Sequence, residues 1–454
     1  MKKFLLLLCV FVGWFTYTQA QLTRYKDVVF ANVKVTANVK YGSNIPFASN
    51  DSKDLFLDVY EPEGDTATRR PVIILIHSGS FLAEAMQGGR TPAGTKEDHW
   101  LKEACTHYAK RGYVAISLTH RIGWNPTLTN PSARAKSIFE AVWRARQDLK
   151  AGVRFLRKEA NTYRIDVNRI AAGGSSSGGY VALHAEYLDK PSELVLPKFL
   201  DEDAKSFIDT VKLGGFEGES GNSGFSSKIH AVVCIGGAVG DTAIIERGDV
   251  PVIAAHGVED KTTPYKTTMV VTAVGNIPII EVSGSHDLVK VNHRLGNQIK
   301  LVEAGFNDQP FPGLKPFEGE NFEFYNWWNV TPEAEIPARK TKLNSVLEFV
   351  TPRLFAVLDL PTINFPKVVG RLDDELIAWS VYPNPTQGSI TLTSEQAQKI
   401  QTITLTDVYG RLITTSVKHN DGSLEITWDQ VSQGVYLLKF STHDHIYSEK
   451  IMVE

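Results

Sequence analysis

A serine surrounded by glycines carries the strongest chemical signal in this sequence. Residues 173–179 read Gly-Gly-Ser-Ser-Ser-Gly-Gly, so that Ser176 lies at the centre of a Gly-x-Ser-x-Gly pattern. The segment follows a short apolar run and opens a helical one, and a sharp strand-to-helix turn of this kind lifts the serine hydroxyl above a sheet as a nucleophile elbow. A plain Ser/Gly-rich turn would have the same composition, but the flanking strand and helix favour a nucleophile.

A second segment follows the first long apolar run, where residues 77–81 read His-Ser-Gly-Ser-Phe. Together with the Ser176 pattern, it resembles the α/β-hydrolase fold family, in particular the carboxylesterase-like branch with a His-Gly-Gly-Gly oxyanion loop. The resemblance implies that the backbone N–H groups of Gly79, Ser80 and Ser177 hold the oxyanion of a tetrahedral intermediate. Serines replace two glycines of the family loop, which affects the loop conformation more than its donors. The alternative is an ordinary turn at a strand end.

A third segment supplies a candidate acid. Residues 251–260 read Pro-Val-Ile-Ala-Ala-His-Gly-Val-Glu-Asp and resemble the strand-His-Gly-x-x-Asp segment of the same family. The resemblance implies that Asp260 is the carboxylate of a catalytic triad, which holds an imidazole in the right tautomer. Asp260 follows Ser176 in the chain, as the family order requires, and His256 is then structural. The alternative for a lone Asp after a strand is a solvated loop residue.

The general base is the open position of this triad. The family carries it in a Gly-x-x-His-x-Pro-Phe loop, and the corresponding residues 305–311 read Gly-Phe-Asn-Asp-Gln-Pro-Phe, with Asp308 where the histidine should stand. Two histidines lie between Asp260 and the C-terminal domain, His286 and His293. Gly-Ser at 284–285 resembles a family element at the rim of the site, so we take His286 as the base and expect His293 at the surface. Loss of the base remains an alternative, because a serine is a weak nucleophile without one.

The scaffold for these residues is predicted by alternating apolar and helical runs. Two antiparallel-looking strands, Asn32–Tyr41 and Leu55–Tyr60, come first. Apolar runs that suit strands buried on both faces follow at Val72–Ile76, Tyr113–Leu118, Ile170–Ala172, Ala231–Ile235 and Val250–Ala255. The clearest helix extends from Ala133 to about Glu159, with apolar residues spaced by three and four. We therefore expect residues 21–360 to form an α/β-hydrolase domain with a doubly wound, mostly parallel sheet.

The character of the sequence changes near residue 360. Residues 361–378 are predicted to be a linker, and residues 379–454 a small all-β sandwich of short alternating strands with turn signals between them. The module resembles the C-terminal sorting domain of the type IX secretion system of Bacteroidetes, on its segments Val381–Pro385, Asp407–Arg411, Gly434–Leu438 and Lys450–Glu454. The resemblance implies the type IX machinery as a partner. The alternative is a carbohydrate-binding or spacer sandwich.

The N-terminus is typical of a secretory signal peptide at residues 1–20. Lys2 and Lys3 precede an apolar run that is too short to span a bilayer, and Thr-Gln-Ala at 18–20 suits a signal peptidase. We expect export through the periplasm and a secreted or cell-surface protein with no transmembrane segment. Cys105 and Cys234 remain after cleavage. A disulfide is possible in an oxidising compartment, but the mid-strand position of Cys234 favours two buried thiols.

Composition narrows the class of protein further. The 454 residues carry 48 Lys and Arg against 51 Asp and Glu, a net charge of −3 without a long basic run, which argues against nucleic acid as a partner. The three cysteines lack metal-ligand spacing. The sequence therefore predicts a secreted serine carboxylic ester hydrolase without cofactor or metal, acting on a small-molecule or polysaccharide-linked ester. The alternatives are a hydrolase-fold binding protein with impaired catalysis and a serine peptidase of the same fold.

Overall fold

The computed structural model describes residues 21–83, 86, 94–272, 275–306, 336–366, 380–393, 397–407, 411–420, 422–429, 431–442 and 446–454. The predicted signal peptide, Asp308 and most of the predicted linker lie outside these residues. The chain divides into two compact units, Thr23–Ile363 and a smaller one that contains Asn364–Glu454.

The larger unit and the segments next to it alternate strands and helices. The strands are β1 (Gln21–Thr23), β2 (Val33–Asn44), β3 (Lys53–Pro62), β4 (Arg70–Ile76), β5 (Val114–Leu118), β6 (Ile165–Ser175), β7 (Ala231–Ile235), β8 (Ala238–Val239), β9 (Val252–Ala255), β10 (Thr268–Val271), β11 (Pro278–Gly284) and β12 (Asn364–Pro366). The helices are α1 (His99–Ala109), α2 (Pro131–Lys158), α3 (Ser177–Tyr187), α4 (Thr210–Leu213), α5 (Ser285–Leu295), α6 (Ile299–Glu303) and α7 (Ile336–Val357).

Seven strands form the central sheet in the order β2-β3-β5-β4-β6-β7-β9. The pairs from β5 to β9 are parallel, whereas β2 with β3 and β3 with β5 are antiparallel. The predicted mostly parallel sheet with two antiparallel strands at its start is thereby confirmed. A separate small antiparallel sheet, in the order β10-β11-β8, was not foreseen from the sequence.

Both faces of the central sheet are covered. Along β4, Val72, Ile74 and Ile76 belong to one apolar cluster, and Ile73 and Leu75 to a second one. This alternation follows from the two-residue period of a strand. It explains why the buried strands read as continuous apolar runs, since each face of the sheet packs against its own layer of helices.

Cys105 and Cys234 lie in different apolar clusters. Cys234 on β7 belongs to the first cluster and Cys105 on α1 to the second. Both are buried free thiols, as the mid-strand position of Cys234 predicts. Burial raises the pKa of Cys234 to about 12, so this thiol stays protonated and unreactive at neutral pH.

Helix α2 begins two residues before its predicted start. Asn130 is the N-cap, and its side chain accepts a hydrogen bond from the N–H of Ala133 at 2.8 Å. Pro131 occupies the first helical position, where its missing N–H has no helical partner to lose. The apolar periodicity alone could not reveal this start, because the capping residues are polar and precede the first buried turn.

The smaller unit contains two antiparallel four-stranded sheets. Its strands are β13 (Ser380–Tyr382), β14 (Ser389–Thr393), β15 (Thr402–Asp407), β16 (Leu412–Ile413), β17 (Thr415–Asn420), β18 (Ser423–Trp428), β19 (Gly434–Ser441) and β20 (Ile446–Val453). The sheet orders are β13-β14-β18-β17 and β16-β15-β19-β20. Side chains of both sheets, such as Leu392 and Leu438, share one apolar cluster, as expected for a sandwich. The sequence patterns missed β13, β16 and the edge strand β17, whose side chains are largely exposed.

Across the described part of the chain, none of the helices combines the length and the apolar character that a membrane span requires.

Candidate active site

Ser176 occupies a strained turn between β6 and α3. Its backbone has φ 51° and ψ −120°, and positive φ is uncommon for any residue other than glycine. The N–H of Ser176 donates to the carbonyl of Ile235 at 2.8 Å, and its own carbonyl accepts from the N–H groups of Gly179 and Tyr180 at 2.9 and 3.2 Å. The turn is therefore fixed to the end of β7 on one side and to the first turn of α3 on the other.

The two glycines of the Gly-x-Ser-x-Gly pattern allow this turn to approach β4. A Cβ atom added to Gly174 would lie 2.4 Å from the carbonyl oxygen of Ile76, and one added to Gly178 would lie 2.3 Å from the same atom. These distances are far below a van der Waals contact, so neither position accepts a side chain without backbone movement. The close approach brings the loop at residues 77–81, which follows Ile76, beside Ser176.

The loop after β4 has an unusual backbone. Gly79, Ser80 and Phe81 have φ values of 122°, 52° and 57°. The carbonyl of Ser80 accepts a hydrogen bond from Trp124 Nε1 at 2.9 Å, which holds the turn from outside. Among the described residues, no acceptor receives the N–H groups of Gly79, Ser80 or Ser177. These are the three donors that the sequence assigns to an oxyanion.

Two buried histidines, only one of which the sequence singled out, support this loop. His77 lies at the end of β4 and His120 follows β5, the neighbouring strand, so their rings stack with centroids 4.2 Å apart and planes 9° apart. Each Nδ1 contacts a backbone carbonyl oxygen, that of Ser78 at 2.8 Å and that of Arg121 at 3.0 Å. Burial lowers the pKa of both rings, that of His120 to about 4, so the stack is neutral. The carboxyl ends of adjacent parallel strands meet at one edge of a sheet, and this rule could have predicted the pair.

Asp260 lies in the turn after β9. Its Oδ1 accepts the N–H groups of Thr262 and Thr263 at 2.8 and 2.9 Å, and its side chain is almost fully buried. Asp260 and Thr263 both lie close enough to Tyr180 of α3 to influence its hydroxyl group. The turn that holds Asp260 therefore packs against the helix that Ser176 opens.

His256, the imidazole beside Asp260, is structural, as the sequence predicts. Its Nε2 lies 3.7 Å from Asp260 Oδ2 and 3.0 Å from the carbonyl oxygen of Thr263, while its Nδ1 lies 2.9 Å from Ser285 Oγ. The ring is fully buried, and burial lowers its pKa to about 4. Because both ring nitrogens are engaged, His256 links two loops and is not available as a base.

His286 lies in the first turn of α5, directly after β11. Its Nδ1 lies 2.8 Å from Asp287 Oδ1, and its ring packs edge-on against Tyr265 with centroids 5.4 Å apart. Within the described residues, Ser176 Oγ makes no side-chain hydrogen bond, so the structure does not bring the predicted serine and base into direct contact. His293, expected at the surface, is instead half-buried on the same helix, with its Nε2 enclosed. Asp308 lies outside the described residues.

No group of three or more His, Cys, Asp or Glu side chains in the described ranges is arranged to hold a metal ion.

Asp287 is the polar residue beside His286 that the sequence analysis missed. Its signal in the sequence is only its position next to His286, which gives no indication of which way either side chain points.

Comparison with known proteins identifies both units. Residues 57–217 match the family model BD-FAE, and residues 380–454 match the model described as a secretion system C-terminal sorting domain. No curated protein matches this chain at a significant level.

Similar solved structures include esterase 2 of Thermogutta terrifontis phosphoramylated by tabun. It aligns at 18% identity and a TM-score of 0.42, over 72% of this chain and 97% of that one. The propionate-bound form of this esterase aligns at 18% identity and a TM-score of 0.41, over 72% of this chain and 96% of that one. Residues 57–217 thus resemble an esterase-like α/β-hydrolase domain of the BD-FAE type, and residues 380–454 a C-terminal sorting domain of type IX secretion.

Proposed function

We propose that this protein is an exported serine ester hydrolase that acts through an acyl-enzyme on Ser176. The observation that carries the proposal is the strained turn at Ser176, pressed by two glycines against a loop in which the N–H groups of Gly79 and Ser80 are not used within the described structure. A hydroxyl on such a turn, next to unused backbone donors, suits attack on a carbonyl whose oxygen becomes negative.

The proposed reaction has two halves. Ser176 Oγ attacks the ester carbonyl and loses its proton to the base, and the N–H groups of Gly79, Ser80 and Ser177 stabilise the oxyanion. The protonated base then gives its proton to the leaving alcohol, and the acyl-enzyme forms. In the second half water attacks the acyl group and gives a proton to the same base. The bond between the acyl group and Ser176 Oγ then breaks, the carboxylic acid leaves, and the base returns its proton to Oγ. The N-terminus of α3 also favours the negative charge that develops beside Ser176.

We assign the base to His286, and the family resemblance implies Asp260 as the acid. The assignment to His286 is supported by its position in the first turn of α5. The preceding residue, Ser285, contacts His256, which lies directly after β9 at the carboxyl edge of the sheet. Parallel strands present catalytic loops at this edge, and Ser176 follows β6 there.

The test compares purified wild-type protein with Ser176→Ala in the hydrolysis of short-chain aryl esters. Loss of a triad nucleophile lowers turnover by on the order of a millionfold, so we expect no detectable hydrolysis by the variant. Ser223→Ala, at an exposed serine of a loop, is the control and should behave as wild type. Mass spectrometry after a short incubation should find the acyl group on the peptide that contains Ser176.

Two outcomes would favour the other functions. A wild-type protein that hydrolyses no ester, forms no acyl-enzyme and yet binds esters would be a hydrolase-fold binding protein. Faster cleavage of peptide anilides than of aryl esters, lost in Ser176→Ala, would indicate a peptidase. Equal ester hydrolysis by wild type and Ser176→Ala would exclude Ser176 as the nucleophile.

The sorting domain supports export by type IX secretion to the cell surface or the medium. We propose further that residues 1–20 are a cleaved signal peptide, that the hydrolase domain spans residues 21–360, and that a linker at 361–378 precedes the sorting domain at 379–454. N-terminal sequencing of the exported protein tests the first point, and we expect Gln21 as the first residue.

A further inference from the structure

We infer that Asp287 is the carboxylate that orients His286 as the base for Ser176, an inference that rests on the proposed function. The family resemblance gives this role to Asp260, and the sequence assigns nothing to Asp287. Among the described residues, Asp287 lies within hydrogen-bond distance of His286, at 2.8 Å, whereas Asp260 lies 3.7 Å from His256.

Asp287 is held as an orienting carboxylate should be. Its Oδ1 lies 2.8 Å from His286 Nδ1. Its Oδ2 accepts two hydrogen bonds from Thr267, from the N–H at 2.7 Å and from Oγ1 at 2.6 Å. Thr267 Oγ1 also lies 2.9 Å from Ser283 Oγ, so the threonine hydroxyl is itself fixed. One carboxylate oxygen is thus anchored to the protein while the other faces the imidazole.

The charge of Asp287 suits this role. Burial alone would raise the pKa of the carboxyl group, but the hydrogen bonds from Thr267 and His286 outweigh it, and the pKa lies below its ordinary value. An ionised carboxylate at Nδ1 favours the tautomer that carries its proton on Nδ1. In that tautomer Nε2 of His286 keeps its lone pair, which is what a general base needs.

Asp260 is arranged differently. Its Oδ1 accepts two backbone N–H groups of its own turn, and its Oδ2 lies on the side of His256. The ring of Tyr265 packs against both imidazoles, 5.8 Å from His256 and 5.4 Å from His286 by ring centroids. Each imidazole therefore has its own neighbouring carboxylate: Asp260 for the structural His256, and Asp287 for His286.

The first turn of α5 lies beside the helix that Ser176 opens. Its N-cap Gly284 pairs with Ala238 of β8. The residue before Ala238 is Gly237, where an added Cβ would lie only 2.9 Å from the Cα of Gly179, three residues after the nucleophile. Ser176 and the pair of His286 and Asp287 thus belong to adjoining segments. Hydrogen bonds between a catalytic serine and its base are often long without substrate and tighten in the complex.

The experiment measures ester hydrolysis over pH for the full-length protein and its variants Asp287→Asn, Asp287→Glu and Asp260→Asn. Replacing the orienting carboxylate of a triad by an amide lowers kcat by up to about 10⁴-fold. We expect Asp287→Asn to lose at least about 100-fold in kcat with little change in KM, and Asp260→Asn to lose much less. Asp203→Asn, at an exposed loop carboxylate paired with Lys205, is the control.

The pH profile separates orientation from a purely structural role. Loss of the anion beside an imidazole disfavours its protonated form, so the acidic limb of kcat/KM should move to lower pH by about 1 unit in Asp287→Asn. Asp287→Glu keeps the charge and should recover part of the lost kcat and the wild-type limb. Because it retains the anion, this variant remains informative even if Asp287→Asn does not fold.

The outcomes distinguish this inference from the proposed function. If Ser176→Ala abolishes hydrolysis while Asp287→Asn and Asp287→Glu match the wild type, Asp287 has no such role and the hydrolase assignment stands. A large loss in Asp260→Asn with none in Asp287→Asn would return the role to Asp260. If Ser176→Ala retains full activity, or the wild type has none, both assignments are wrong.

Discussion

Arg121 and Asp148 form a buried ion pair that joins the loop after β5 to the middle of α2. Arg121 Nε donates to both carboxylate oxygens, at 3.0 and 2.9 Å, and its backbone N–H donates to Oδ2 at 2.8 Å. Ser220 Oγ adds a further hydrogen bond to Oδ1 at 2.6 Å. The two side chains are 5% and 0% exposed. Because His120 precedes Arg121, this pair also fixes the histidine stack beneath the proposed oxyanion loop.

We predict that Asp148→Asn destabilises the hydrolase domain strongly. The substitution leaves the guanidinium of Arg121 buried without its counter-charge, and breaking a buried pair in this way costs about 3–5 kcal/mol. The matched control is Asp54→Asn, which removes the partner of Lys40 in a pair whose side chains are 47% and 54% exposed. Such exposed pairs contribute up to about 1 kcal/mol. Urea denaturation measures both free energies of unfolding, and equal losses would contradict the argument.

Gly178→Ala should impair both folding and activity. The added Cβ would lie 2.3 Å from the carbonyl oxygen of Ile76 and 2.9 Å from that of His77, so α3 or the loop after β4 must move. Overpacking of this kind destabilises by about 1–3 kcal/mol, and the shift displaces backbone donors from the oxyanion. Thermal denaturation and ester hydrolysis measure the two effects.

The control for Gly178→Ala is Gly215→Ala. An added Cβ at Gly215 meets nothing within 4 Å, and the backbone there is not left-handed. This variant should keep the activity and stability of the wild type. Wild-type behaviour of Gly178→Ala would show that the close approach to Ile76 is not needed.

The buried histidines should contribute a loss of stability as the pH drops from about 6.5 towards 4, against the opposite contribution of Asp98 and Glu186, whose pKa burial raises to about 7. Burial lowers the pKa of His120, His184 and His256 to about 4 in the folded chain, whereas the unfolded value is about 6.5. Between these values the histidines of the unfolded chain bind more protons than those of the folded one, so their contribution, present above pH 6.5, is lost on acidification. Urea denaturation at pH 7.5 and at pH 5 measures the difference.

His120→Phe isolates one contribution to this pH dependence. The variant keeps an aromatic ring beside His77 but removes one buried titrating group, so its free energy of unfolding should fall less between pH 7.5 and 5. His99→Phe, at an exposed histidine at the start of α1, should retain the wild-type pH dependence. An identical pH dependence in His120→Phe and the wild type would refute the contribution of His120.

Removal of residues 379–454 should block export across the outer membrane and leave the hydrolase domain folded. The reason is that the removed strands have an apolar cluster of their own, separate from the two clusters of the central sheet. Fractionation of the producing cells, with the protein detected by immunoblotting in each fraction, measures export, and ester hydrolysis by the truncated protein shows whether its hydrolase domain is folded. Full-length Ser176→Ala is the control and should be exported normally, because catalysis is not part of sorting. Truncated protein in the medium at wild-type levels would contradict this prediction.

The sequence alone determined the features that depend on local pattern. The Gly-x-Ser-x-Gly turn, the apolar runs of the central sheet and the amphipathic run of α2 are properties of neighbouring residues, and all of them lie in the predicted elements. The small sheet of β10, β11 and β8 has weak local patterns, because β10 and β11 are only partly buried and β8 has only two residues. Such strands form when partners distant in the chain come close, and sequence periodicity carries no information about that.

Only the tertiary structure decided which side chains meet around Ser176. The register of β4 against β6 sets Gly174 beside Ile76, and the stack of His77 on His120 follows from the adjacency of β4 and β5. The ring of Tyr265 contacts both His256 and His286, and so brings the turn that holds Asp260 beside the one that holds Asp287. A family pattern predicts that an acid and a base are present. The partner of each is decided by side-chain directions, and these are determined by packing across the edge of the sheet.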